Sequence, residues 1–216
     1  IMNATTIAIM GHVRPDGDCI GSCLGLYNYL IENYPDKEIN VYLEEVADKF
    51  AFLPGADKVI TSVSDIIYDL AISLDCGDTD RHGKFGPIFD TAKDTIALDH
   101  HRSNLGFGNY FYCDPDASSA SEVLYNHFEA DKVSLNCATC LYLGIVHDTG
   151  VFKYGCTGRK TMEVAGRLVE MGVRTTYIID ETFYKKTYKQ NLIMAKTVLE
   201  SNLIEGGKVI VGFVSK

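Results

Sequence analysis

The chain has 216 residues, 46% of them apolar, enough for one full α/β domain with the start of a second and for a sizeable core. A net charge of −9 excludes a basic surface that coats long duplex nucleic acid, although an acidic chain still binds phosphate when divalent cations supply the positive charge. No run approaches the roughly 20 apolar residues of a membrane span, "IMNATTIAIM" lacks the basic flank and cleavage site of a secretory leader, and seven scattered cysteines fit reduced core thiols, so a cytoplasmic protein without a membrane partner is expected.

Apolar segments over 5–10, 38–43, 58–61, 69–74 and 95–98 read as strands that alternate with helices. That rhythm predicts an α/β fold with a mainly parallel sheet flanked by crossover helices. The first helix runs from near Asp18 to Asn33, and Pro35 closes it off. A helix over 118–130 opens on "SSASE", where Ser119 stands three residues before Glu122, the spacing of a capping box. Residues 135–146, apolar on nearly every side, read as a buried helix leading to "HDTG". An amphipathic helix over 161–171 stops at Gly172. One long helix over 184–203 precedes a turn at Gly206-Gly207 and a strand over 208–214, which either pairs back onto the sheet or begins a further domain.

Where a strand of a parallel sheet gives way to a loop, side chains point into the crevice at the carboxyl edge, the usual ligand site of open α/β folds. Here "GHVRPDGD" with His12, Asp16 and Asp18 follows the first strand, Asp75, with Asp78 and Asp80 beyond it, follows "LAISL", and Asp99-His100-His101 follows "TIAL". Asp148 in "GIVHDTGVF" ends the apolar helix. Singly, each has a bland reading: Asp18 and Asp75 as helix N-caps, His12 and, more strongly, His147 as hydrogen-bonded loop histidines. A calcium loop starting at Asp16 fails because Ile20 and Tyr27 stand where oxygen ligands are needed. Cys137-Ala-Thr-Cys140 has zinc-site spacing but no second pair. A haloacid-dehalogenase scheme would need its Asp pair on the strand end and offers no role for residues 99–101. Taken together, two histidines and four aspartates beside one crevice repel one another and desolvate badly unless cations neutralise them. Mixed imidazole and carboxylate ligands suit manganese or a related first-row ion. Two such ions, bridged by a carboxylate and a hydroxide, are the standard machinery for attack on phosphorus.

The motifs "GHVRPDGDCIGS", the strand ending at Asp75, "LDHHRSN" and "HDTGVF", in this order and spacing, resemble the four metal-binding motifs of the DHH phosphoesterase superfamily over roughly residues 5 to 185. With "DPDASSASEVLY" and "DTGVFKYGCTGRKT", the pattern is most similar to the branch of bifunctional oligoribonucleases and 3'-phosphoadenosine-5'-phosphate (pAp) phosphatases. The resemblance implies that His12 and Asp16 hold a first ion, that Asp18, His100 and Asp148 hold a second, and that Asp75 bridges them. It places His101 beside the scissile phosphate, with Asn104 also on the substrate, and Asp99 behind the ligands, where it orients them. It implies two divalent ions, manganese by the donor set, and a hydroxide activated by both that hydrolyses short oligonucleotides or nucleoside phosphates. A homodimer is compatible with it. A pyrophosphatase or a cyclic-dinucleotide phosphodiesterase of the same superfamily, or a noncatalytic nucleotide-binding module, stands as the rival reading. The branch's glycine-rich "GGGH"-like motif does not occur before Lys216. The resulting expectation is a catalytic domain over 1–183, a linker helix and turn over 184–207, and the start of a truncated substrate-binding domain over 208–216.

Overall fold

The computed structural model describes residues 2–214. It divides into two compact units, 1–179 and 180–216. In the first, five strands form one sheet: β1 (Thr6–Met10), β2 (Glu38–Tyr42), β3 (Leu70–Leu74), β4 (Asp94–Asp99) and β5 (Tyr110–Cys113). All neighbours run parallel, in the order β2-β1-β3-β4-β5. Buried on both faces, β1 and β3 are near-continuous apolar runs, as parallel strands between helical layers must be.

Sheet register decides where the chemistry emerges. Met10 pairs with Ser73 and Ser73 with Ala97, so the loops after β1, β3 and β4 leave the same edge side by side. One face of the sheet, with Ala8, Met10 and Ala71, is closed by Tyr42, Tyr68, Phe85, Ile88 and Phe89, the last two on α2 (Gly86–Thr91). The helical layer includes α1 (Gly17–Asn33), α3 (Ala120–His127) and α4 (Leu135–Asp148), which pack on one another and on the strands. Fully buried Ile20, Leu24 and Leu30 hold α1 down, each contributing roughly 1.5–3 kcal/mol from burial. A Cβ on Gly21 would lie 2.6 Å from the Cys140 carbonyl oxygen, so this glycine lets α1 and α4 approach closely enough to bring their Asp18 and Asp148 to one place. Two further helices, α5 (Arg159–Glu170) and α6 (Thr175–Ile179), complete the unit.

Three sequence expectations change. Residues 58–61 form no strand: the chain makes only a parallel bridge from Ile60 to Tyr42, after a 3-10 turn entered through Gly55 at φ 86°. Strand β5 was not anticipated, because "YFYC" shows no alternation; it is a sheet edge exposed on both faces. The long helix over 184–203 is broken up in the second unit. A π-helical turn (Asp180–Tyr184) precedes α7 (Tyr188–Leu199), which starts at a reciprocal cap between Thr187 and Gln190. Then β6 (Asn202–Ile204) pairs antiparallel with β7 (Val209–Val211). Glu205, Gly206 and Gly207 all have positive φ, and this turn folds the strand at 209–211 back onto 202–204 rather than onto the main sheet. Residues 1, 215 and 216 of the expected first and last segments lie outside the described residues. Among the described residues, no helix is long and apolar enough to cross a membrane.

Candidate metal centre

Each side chain at the carboxyl edge is aimed by a specific local device. The His12 ring follows β1, and its Nδ1–H donates to the Val13 carbonyl at 2.8 Å, which leaves Nε2 as the ring's ligand atom. That Nε2 faces Asp75 Oδ2 at 3.5 Å and Asp16 Oδ1 at 3.7 Å. Asp16 N-caps α1, accepting the N–H groups of Asp18 and Cys19 at 3.0 and 3.1 Å. Asp75 leaves β3 at φ 57°, a left-handed conformation that aspartate enters more readily than most side-chain-bearing residues. The result is one carboxylate between two imidazoles: Oδ2 lies 3.5 Å from His12 Nε2, and Oδ1 lies 3.5 Å from His100 Nε2.

At the end of β4 the adjacent histidines diverge. His100 Nε2 turns inward, 3.1 Å from Asp148 Oδ2 at the last residue of α4 and 3.9 Å from Asp18 Oδ2. The His101 side chain stays 43% exposed, with Nδ1 donating to Asp99 Oδ1 at 2.7 Å. Fully buried Asp99 also accepts the His100 backbone N–H at 2.8 Å and the Asn104 amide at 2.7 Å. It therefore orients His101 directly and His100 only through the backbone. Asn104 donates to the Cys76 carbonyl and to Asp99, and accepts from Gly106 N–H. Both its amide hydrogens are engaged within the protein, so the expected substrate contact has no free donor.

Asp18 is fully buried, its oxygens accepting the N–H groups of Ala120 at 2.6 Å and Ser121 at 3.1 Å in the first turn of α3. Sequence reasoning missed the network behind this turn. Ser119 caps Glu122 N–H as its spacing predicted, but the Glu122 carboxylate does not return the bond. It accepts instead from the Ser118 N–H, the Ser118 hydroxyl and, at 2.8 Å, the Thr161 hydroxyl of α5. Beyond Asp148, residues Gly150, Val151 and Phe152 form a left-handed turn, with φ of 55°, 60° and 62°. Such a turn is costly for a β-branched residue, and the Val151 N–H to Val146 O bond at 2.8 Å helps hold it. His147 lies within α4 rather than in a loop, packed against Gly17 and Phe50.

Among the described residues, potential ligand atoms gather within 4.8 Å of one another in three groups: Asp75, Asp99, His100 and His101; His12, Cys19 and Asp75; and Asp18, His100 and Asp148. Asp75 and His100 each belong to two. Asp16 falls outside all three, and Cys19, which the sequence placed with the core thiols, falls inside one. Its position in the first turn of α1, three residues after Asp16, was the available signal. Asp78 instead caps a 3-10 turn through Arg81 N–H.

The electrostatics show what this arrangement costs. Burial lowers the proton affinity of His100, yet the carboxylates of Asp148 and Asp75 overcome it and raise the ring to about 11. His12 is likewise raised against burial, by Asp16 and Asp75. Burial and then its acidic neighbours raise Asp18 and Asp148. Asp16, resisting burial, is lowered to about 2 by His12 and the N–H groups that it caps. Without a cation, the cluster retains protons to limit its own repulsion. Two of its buried atoms, Asp75 Oδ1 and His100 Nε2, make no well-aligned hydrogen bond, although each lies near a group of opposite charge. Unpartnered buried polar atoms are expensive, and here they face a shared space lined by carboxylate oxygens. Imidazole nitrogen and carboxylate oxygen so placed fit divalent cations.

A family model described as "DHH family, N-terminal domain" matches residues 6–145. The bifunctional oligoribonuclease and PAP phosphatase NrnA of Bacillus subtilis is 28% identical over 84% of this chain, and the probable enzyme of that name from Streptococcus mutans is 32% identical over 76%. The chain spans about half the length of these relatives, the matches covering 58% and 52% of them. An exopolyphosphatase-related protein of Bacteroides fragilis shares the fold at a TM-score of 0.85 and 24% identity, covering 94% of this chain and 64% of that one. With the family model spanning the sheet, α1, α3 and most of α4, the chain belongs to the DHH family.

Proposed function

We propose that this chain is the metal-holding half of a phosphoesterase acting on short oligoribonucleotides and pAp, the substrates named for its relatives. The observation that carries the reading is Asp75, fixed between His12 and His100 with a buried oxygen that nothing in the protein satisfies. His12 with Asp16, and His100 with Asp18 and Asp148, hold two divalent ions, with Asp75 shared and manganese the best-suited metal. When bound, such ions polarise a phosphoryl oxygen and lower the pKa of water. Asp99 orients His101 and raises its proton affinity, and the partly exposed ring stands ready to donate a hydrogen bond to the phosphate. Stabilising transition-state charge in this way is worth about 10² to 10³ in rate. Asn104 acts one step back, holding Asp99 in place.

The test is hydrolysis of pAp, a diribonucleotide and an activated phosphodiester such as bis(p-nitrophenyl) phosphate by the 216-residue chain, beside manganese titration. Two bound ions and turnover that Asp75→Asn abolishes support the reading. Failure to bind manganese overturns it. Binding of one ion overturns the paired centre.

A further inference from the structure

The assignment of Asp16 to the His12 side of the centre leaves an unexplained neighbour. Cys19 Sγ joins His12 and Asp75 in a group whose ligand atoms lie within 4.8 Å of one another, with all three residues buried. Asp16 is not in that group; its side chain is 59% exposed, and its Oδ1 is engaged by two backbone N–H groups. The thiol has a made place: a Cβ on Gly11 would stand 2.2 Å from Cys19 Sγ, so any side chain at position 11 would displace the sulfur. The sulfur's hydrogen-bond partner is the His12 carbonyl, at a long 3.8 Å. Asp75 is 3% exposed and turns Oδ2 toward His12 Nε2 at 3.5 Å, while its Oδ1 faces His100.

We infer that the His12 side of the centre is a mixed sulfur, nitrogen and oxygen site, in which Cys19, His12 and Asp75 take a thiophilic divalent ion such as Zn²⁺ or Cd²⁺ in competition with Mn²⁺. Thiolate, imidazole and carboxylate are the zinc-type donors, whereas manganese gains little from sulfur. The inference rests on the metal-centre reading above and adds to it a device for cation choice. The entering ion breaks the thiol S–H bond, forms a metal–sulfur bond and releases the proton to solvent. A zinc ion seated this way occupies the position that manganese needs, and Cys19 becomes the residue through which zinc excess silences the site.

Cadmium titration of the metal-stripped chain tests this, followed through the ultraviolet thiolate-to-cadmium charge-transfer band. The background carries Cys113→Ser and Cys156→Ser, which remove the two thiols that are not buried. A band that disappears on adding Cys19→Ser, with cadmium affinity falling about tenfold or more and manganese affinity nearly unchanged, supports the proposal. A band that survives Cys19→Ser, or no band in the background protein while manganese still binds, overturns the proposal and leaves the metal-centre reading intact. Loss of manganese binding in the background protein itself overturns both. If Cys19→Ser does not fold, anomalous diffraction at the zinc edge on the unsubstituted chain decides: zinc within bonding distance of Cys19 Sγ supports the proposal, and zinc elsewhere overturns it.

Discussion

Strand β3 carries an aspartate at each end, and the two have opposite fates. Asp69, just before the strand, lies at the amino edge and is fully served: its oxygens accept from Lys93 Nζ at 2.7 Å and from the N–H groups of Thr5 and Thr6 at 2.8 and 3.1 Å. The Lys93 ammonium and those N–H groups hold its carboxyl well below the usual range. Asp75, just after the strand, is buried in a left-handed conformation among other acids, with one oxygen unpaired. Residue type and strand are the same, so the difference belongs to the environment. At one edge the fold satisfies a carboxylate for its own stability, and at the other it keeps one unsatisfied. Groups held in that state mark places where stability has been exchanged for binding.

The largest effect expected from this contrast is at Asp75. Asp75→Asn removes a shared charge, so manganese titration should show both ions weakened and turnover abolished. A variant that binds two ions at parental affinity breaks the comparison. Next comes His101→Ala, for which turnover should fall about 10² to 10³ with metal content retained. Loss of an ion in that variant would mean that the two histidines have exchanged roles.

A third group sharpens the contrast, since it is buried beside the same strand yet neutral. His82 is 1% exposed, bonded to Ser73 of β3 at 2.7 Å and packed on Phe89 and Phe107. Burial lowers it from 6.5 to about 4. Between those values the unfolded chain binds the proton and the folded chain does not. Stability from this group is therefore complete above about pH 6.5 and falls by about 3 kcal/mol as pH drops to about 4. Urea unfolding across this window should show a shallower pH slope for His82→Gln than for the parent, and equal slopes would remove His82 from the account. The smallest effect is at the amino edge: Asp69→Ala should lower the melting temperature modestly through three lost hydrogen bonds, with manganese affinity untouched. A change in metal binding there would show that the two ends of β3 are coupled.

Manganese should also raise the melting temperature of the chain more than calcium does, because imidazole donors suit calcium poorly and the ions bind only the folded cluster. Equal shifts from the two cations would indicate a nonspecific acidic surface.

By itself the sequence determined what short-range chemistry controls. Apolar runs between polar loops specified the parallel strands β1 and β3, since a strand covered on both faces needs little else, and β4, whose burial alternates along the strand. Asp99-His100-His101 after one of those runs located the crevice, because no buried strand ends on such groups without a reason. Strand β5 was hidden, as an exposed edge has no periodicity to read, and so was the 202–211 hairpin, whose pairing depends on positive φ at three consecutive residues. Only the tertiary structure decided how the crevice residues divide their work. Asp99 bonds His101 rather than the His100 ring, Asn104 spends its donors inside the protein, and Cys19 joins His12 and Asp75 in a tight group of ligand atoms. Those outcomes turn on distances of a few ångströms between side chains far apart in sequence, such as Asp18 against residues 120 and 121. Residue spacing along a chain names the groups at a strand end, but the direction in which each side chain points is set by helices and loops that arrive from elsewhere.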